Sequence, residues 1–334
     1  MRMFLKQHLH YFIVCVLLAG LVNVYFLGGF NTPKAYLIFI VVAFVIFPVM
    51  INTDFWEIFE HFREPRPVFC SIVLNFLISP AIAFGAGSLF LRDQPLLFTG
   101  LILISLIPTS SMSMAWTSFS NANLATALYL TPLNILFAAF IGLPLIFPLL
   151  ADQFIEINTF MIVRNIIMVF FIPLIIGGFL RKLIIKFKGN AFFSSKIQPN
   201  IGMVSGAGLL VLIFLVMSQE RNAMLLENYR VLVFAVIPVI LYYALMYAAS
   251  VFWMKQLVSR EVIDSKKALV LVYTSVARHI NIAIAIALSS FTVDQGATVM
   301  FVLIIAYLVQ VPGLAFFAQK FGKNFIMKTT NSPL

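Results

Sequence analysis

Apolar runs about as long as a bilayer is thick recur along the chain, separated by short polar connections. They fall at Tyr11–Phe30, Tyr36–Ile51, Pro67–Leu91, Leu96–Phe119, Leu124–Leu150, Met161–Ile185, Ile201–Met217, Val231–Met254, Ala268–Phe291 and Ala297–Phe317. A crossing helix needs about 20 apolar residues, and a lipid-exposed backbone must satisfy its own hydrogen bonds. The pattern therefore predicts an all-α polytopic membrane protein of about ten spans. Two spans are interrupted. In the fourth, Leu96–Ile107 gives way to Pro108-Thr-Ser-Ser-Met-Ser-Met114, and in the ninth Arg278-His279 parts Ala268–Ala277 from Ile280–Leu288.

Composition narrows the function classes. Of 334 residues 62% are hydrophobic and 10% charged, with a mean hydropathy of +1.04. A water-soluble core cannot hide that much apolar surface, which excludes a cytosolic enzyme, a nucleic-acid reader and a secreted disulfide scaffold. Cys15 and Cys70 lie in separate apolar runs without Cys-x-x-Cys spacing and read as packing residues, not a metal or redox pair. Tyr11–Phe30 exceeds the apolar core of about 7–15 residues of a signal peptide and reads as an uncleaved first span.

The net charge of +10 comes from basic residues scattered between apolar runs, the distribution of membrane topology. With ten crossings, the side that holds both termini carries sixteen Lys and Arg residues, including Arg181, Lys182, Lys186, Lys188 and Lys196, against five (Lys34, Arg92, Arg164, Arg221 and Arg230) on the other. Both termini are therefore expected in the cytoplasm. The polar stretch Ala151–Asn158 divides the spans into five and five, residues 1–150 and 151–334, and an odd number per half inverts the second half. Pro80 in the third span has its counterpart in Pro238 of the eighth. Inverted halves with discontinuous helices near the midplane are a recurrent plan of secondary transporters. Phe55, Phe59 and Phe62, spaced along the charged connection Thr53–Pro67, predict an interfacial helix.

The interruptions hold the candidate chemistry. Pro108 removes a backbone donor, and neighbouring hydroxyls can replace the lost partners. Asn121-Ala-Asn123 then makes a polar turn into the fifth span, which carries Thr131, Pro132 and Asn134. In the ninth span a guanidinium at mid-membrane costs at least about 2.5–3.5 kcal/mol on insertion scales. With about ten apolar residues on either side, Arg278 cannot easily reach an interface, so it should face the protein interior or a water-filled cavity. All twelve carboxylates lie in or at the edges of connections, leaving none at mid-membrane. Two readings stay open: an anion site at Arg278, or an internal staple bonded to helix-end carbonyls. His279 is either a neutral hydrogen-bonding residue or a proton carrier. Ser275 and His279 could meet on a helix, but no orienting acid accompanies them, and no enzymatic site is expected.

The stretch Ile107-Pro-Thr-Ser-Ser-Met-Ser-Met-Ala-Trp-Thr-Ser-Phe-Ser-Asn-Ala-Asn123 resembles Cys-Pro-Gly-Gly-Thr-Ala-Ser-Asn-Val-Met-Thr-Tyr-Leu-Ala-Arg-Gly-Asn of the bile acid:sodium symporters. Tyr273-Thr-Ser-Val-Ala-Arg-His-Ile-Asn-Ile-Ala-Ile-Ala-Ile-Ala287 is similar to Phe-Thr-Ala-Ala-Ser-Asn-Asn-Phe-Glu-Leu-Ala-Ile-Ala-Val-Ala of the related arsenite efflux carriers, and Gln310-Val-Pro312 to their Glu-Val-Pro. The resemblance covers essentially the whole chain. It implies two inverted five-helix repeats, a core of the third to fifth and eighth to tenth helices moving against a panel of the first, second, sixth and seventh, and broken fourth and ninth helices crossing at the binding region.

Departures from the family pattern direct the functional reading. At the symporters' sodium positions Ser113 and Thr131 match, whereas Met114 replaces Asn, Ala127 a hydroxyl, Ser275 Glu and His279 Gln. The efflux carriers' Cys after proline is Thr109 here and their Glu is Asn281, which argues against arsenite. The expected protein is a secondary carrier of a small or amphipathic organic anion in the cytoplasmic membrane, with Arg278 in the place of the cation. Arg278, His279, Asn281, Ser110, Ser111, Met114 and Asn134 are the expected substrate residues, and Ser113, Thr131 and Ser275 the degenerate sodium positions. No cofactor or nucleic acid is expected, and sodium or proton coupling stays open. The alternatives are a sodium symporter using the remaining hydroxyls and backbone carbonyls, and a non-transporting ligand sensor.

Overall fold

The computed structural model describes residues 2–52, 64–110, 112–151, 160, 164–165, 167–219 and 229–322. Helix is the regular structure throughout them, and the β contacts are two isolated bridges, Phe30 with Gln219 and Pro108 with Arg278. In chain order the helices are α1 (Arg2–Leu27), α2 (Lys34–Ile51), α3 (Pro65–Phe90), α4 (Pro95–Ser105), α5 (Met112–Phe119), α6 (Leu124–Ala151), α7 (Ile167–Lys188), α8 (Asn190–Met217), α9 (Tyr229–Ser259), α10 (Ser265–Val276), α11 (Ile280–Ser290) and α12 (Val293–Gly322). Seven of them, α2, α3, α6, α7, α8, α9 and α12, are long and apolar enough to cross a bilayer. The fourth and ninth apolar runs are each split in two, α4 from α5 and α10 from α11. The interfacial helix expected over Thr53–Pro67 lies largely outside the described residues, which resume at Glu64.

Two compact units emerge. One gathers residues 1–54, 160–233 and 281–301. Within it α8 packs on α1 and α2. A side chain at Gly208 would put its Cβ 2.8 Å from Phe44 Cβ, so α2 and α8 approach closely only because that position is glycine. Ser205 Oγ donates to Val45 O (3.0 Å) across the same contact. The α1–α2 connection is tied to the end of α8 by Phe30 N donating to Ser218 O (3.0 Å) and Thr32 N to Gln219 Oε1 (3.2 Å). Lys34 Nζ donates to Ser289 O (3.1 Å) and Phe291 O (2.6 Å), and Asn165 Nδ2 to Ser289 O (3.0 Å). A cation and an amide thus serve carbonyls that the last turn of α11 leaves without helical partners.

The other unit gathers residues 55–159, 234–280 and 302–334. Here α10 packs on α3, α5 and α6, and α3 on α4. Asp264 caps α10 by accepting from Lys266 N (3.0 Å) and Lys267 N (3.3 Å). The Lys267 ammonium pairs with Glu64 (2.6 Å) just before α3, joining the starts of the two helices. Asn123 caps α6 by accepting from Thr126 N (3.0 Å).

Candidate functional site

Both helix breaks follow from local chemistry. Pro95 opens α4, where a missing N–H costs nothing. The helix stops at Ser105 because Ile107 precedes proline and Pro108 can neither donate nor fit a helical interior. At the other break α10 ends at Val276, and Ala277 turns extended (φ −71°, ψ 100°). The two extended stretches run antiparallel. Ser110 N donates to Ala277 O (2.9 Å) and His279 N to Ile107 O (3.0 Å), with Pro108 opposite Arg278. Each break therefore supplies partners for backbone groups that the other sets free.

Thr109, at the centre of the first break, has φ +62°. A β-branched residue rarely adopts that conformation, and such strain persists only where the surroundings impose it. Its hydroxyl donates to Thr274 O (3.0 Å) and accepts from Asn134 Nδ2 (2.8 Å), and Asn134 Nδ2 also reaches Ser71 Oγ (2.8 Å). Thr109→Val keeps the strained shape and removes both bonds, so it should cost about 1–3 kcal/mol. Thr109→Gly, which takes positive φ without strain, should cost less. Thermal unfolding of the two variants in detergent checks the order.

Arg278 is 1% exposed. Its Nη1 donates to Ser105 O (3.1 Å) and to Asn75 Oδ1 (3.2 Å). Ser105 is the last residue of α4, where carbonyls lack helical partners and the macrodipole is negative, so a cation is favoured there. Ser79 Oγ donates to the same carbonyl (2.8 Å) and bonds Tyr242 Oη (2.8 Å), whose ring lies 5.9 Å from the guanidinium carbon. The backbone of Arg278 is clamped by one side chain: Gln310 Oε1 accepts from Arg278 N (2.7 Å) and Gln310 Nε2 donates to Arg278 O (3.2 Å). Tyr243 Oη donates to Gln310 Oε1 (2.9 Å) and orients the amide. Among the described residues Arg278 Nε and Nη2 have no hydrogen-bond partner.

A sequence profile decides the lineage of the chain: that of the sodium bile acid symporter family matches residues 39–227, which include the first of the two breaks. The chain belongs to this family. It is a multi-pass membrane transporter. The Arsenical-resistance protein Acr3 of Corynebacterium glutamicum is 25% identical over 290 residues, 84% of this chain and 75% of that protein. Acr3 of Alkaliphilus metalliredigens is 24% identical over 294 residues, 84% and 79% of the two chains. The Probable sodium/metabolite cotransporter BASS1, chloroplastic, of Arabidopsis thaliana is 26% identical over 167 residues, 50% of this chain and 40% of its own.

At the positions that resemble the symporter family's sodium sites, each hydroxyl is bonded within its own segment. Ser113 Oγ donates to Ser110 O (2.8 Å), Thr131 Oγ1 to Ala127 O (2.7 Å) and Ser275 Oγ to Val272 O (3.0 Å). His279 is buried beside Arg278, while Ser110 and Met114 are half-buried. Ser111 lies outside the described residues. Asn281 belongs to the other compact unit, where its amide meets Ser205 Oγ (3.4 Å). Sequence reasoning missed Asn75, Ser71 and Tyr242. The signal was present for the first two: Ser71, Asn75 and Ser79 recur every four residues and draw one polar line along an otherwise apolar helix.

Proposed function

We propose that this family member is a secondary carrier of a small or amphipathic organic anion, working by alternating access without sodium. Arg278 supplies the positive charge that a bound cation supplies in the symporters. The observation that carries this reading is a fully buried guanidinium where the two helix breaks meet, with two of its nitrogens, Nε and Nη2, left without a hydrogen-bond partner among the described residues. Burying a charge without a counter-charge is costly, and an anionic substrate offsets that cost when it binds. The self-bonded hydroxyls of Ser113, Thr131 and Ser275 support the same reading, since none is held toward a cation. Thr109 presents a hydroxyl, already spent on Thr274 O, where the arsenite carriers have a thiol. His279, Ser110, Ser111, Met114, Asn134 and Asn281 remain the proposed lining.

The architecture that goes with this reading has ten spans in inverted halves, residues 1–150 and 151–334, with core helices 3–5 and 8–10 moving against the rest. Both termini lie in the cytoplasm of a cell whose membrane the protein crosses, as the basic residues favour. Uptake of radiolabelled benzoate and cholate into proteoliposomes tests the coupling. Rates should be unchanged when choline replaces sodium; saturable uptake that requires sodium would instead support a symporter built on the remaining hydroxyls and carbonyls. One observation favours a second reading. Nη1 is already spent on Ser105 O and Asn75, as it would be if Arg278 only fastened the end of α4.

A further inference from the structure

We propose that the turn between α7 and α8 docks an anionic phospholipid, whose headgroup phosphate is held by Lys186, Lys188 and Lys196. Ile172, Ile175, Phe179, Leu183 and Phe187 form one exposed apolar line along α7, and Phe187 at its end is 74% exposed. Lys186 and Lys188 flank that end, so at a bilayer surface their stems can follow apolar chains while the ammonium groups reach the headgroups. Gly189 (φ +82°) stops α7 and α8 starts at the next residue, so the chain reverses at once. Lys188 Nζ lies 4.9 Å from the Phe192 ring and the Arg181 guanidinium 5.3 Å from the Phe193 ring, which sets the first turns of α8 against the last turns of α7. Lys196, one turn beyond Phe193, is thereby brought to the same end of the helix pair, and all three lysines are exposed.

Charge balance says what this surface takes. No Asp or Glu stands between Glu156 and Glu220, and among the described residues the three lysines make no ion pair. The other two connections between spans expected on that side carry their own acids, Asp54, Glu57, Glu60 and Glu64 in one and Glu261 and Asp264 in the other. Lys186 and Lys188 also suit the negative end of the α7 dipole, but Lys196 stands in the second turn of α8, toward a positive end, and gains nothing from it. A phosphodiester anion supplies the missing counter-charge. Its acyl chains cover the apolar line that ends at Phe187, which a soluble phosphate leaves bare.

The test is native mass spectrometry of the purified full chain in neutral detergent, titrated with phosphatidylglycerol or with phosphatidylcholine of the same chains. Phosphatidylglycerol should bind the more tightly, and the preference should weaken as salt rises. A lysine near the surface is worth about five-fold in affinity for anionic lipid, so Lys186→Gln/Lys188→Gln/Lys196→Gln should lose up to about a hundred-fold. Lys255→Gln/Arg260→Gln/Lys266→Gln removes as many exposed charges from another connection and should keep the preference. Equal losses in the two triple variants, or no preference in the wild-type protein, would overturn the assignment. So would glycerol 3-phosphate displacing the lipid as well as a short-chain phosphatidylglycerol does, because the ligand would then be a soluble phosphate. The three lysines are exposed, so their loss should leave the unfolding temperature in detergent unchanged. Should it fall, the lipid comparison and the competition on the wild-type protein decide by themselves.

Discussion

Arg278→Ala is expected to reduce anion uptake to the level of empty liposomes while leaving the ligand-free protein folded. Two opposing effects set its stability. The variant loses two charge-assisted hydrogen bonds, worth about 1.5–3 kcal/mol each. It also removes a desolvated cation whose burial costs several kcal/mol. Ser105 O keeps Ser79 Oγ as a donor at 2.8 Å, so the end of α4 is not left bare. The unfolding temperature should therefore move little, and the rise that benzoate gives the wild-type protein on binding should vanish. A staple without a ligand gives the opposite outcome: a lower unfolding temperature with anion binding intact. Measuring both quantities on one preparation separates the two.

The largest loss of stability is expected from Gln310→Leu. One amide there serves Arg278 N, Arg278 O and Tyr243 Oη, all buried. Leucine fills similar space and satisfies none of them. Leaving buried polar groups unsatisfied costs about 1–3 kcal/mol each, on the order of 5 kcal/mol together. Total stabilities are about 5–15 kcal/mol, so the variant should unfold at a much lower temperature or fail to accumulate in the membrane. Gln310→Glu retains an acceptor for Arg278 N and Tyr243 Oη and loses only the donor to Arg278 O, so its loss should be the smaller. Thermal unfolding of the three proteins side by side checks the order.

What could be read from the sequence at the site was what proline and charge announce. Pro108 cannot continue a helix and Arg278 cannot face lipid, and both breaks fall where those residues stand. The bonds that join the breaks were not legible, because hydropathy carries no information about which span lies against which. Asn75 reaches Arg278 from a helix 203 residues away in the chain. Asn281, three residues after Arg278, stands in α11, where its amide meets Ser205 Oγ, a contact that the sequence does not announce. The hydroxyls of Ser113, Thr131 and Ser275 illustrate a second limit. Spacing puts them at the family's sodium positions, but a short hydroxyl in or beside a helix can always turn to a carbonyl three or four residues earlier, and each of them does. Seven of the predicted spans appear as helices long enough to cross a bilayer. The proposed tenfold, inverted arrangement goes beyond what length and hydropathy of single helices decide.

With Arg278 in the place of sodium and no proton carried along, each cycle moves net negative charge. The most direct measurement is uptake of labelled benzoate by proteoliposomes in sodium-free medium, with a potassium gradient and valinomycin setting the membrane potential. An inside-positive potential should drive accumulation. One elementary charge over 100 mV is worth about 2.3 kcal/mol, so the limit is about fifty-fold. Accumulation that appears only with sodium and grows with an inside-negative potential would mean that cations travel with the substrate, and that Arg278 has not taken their place.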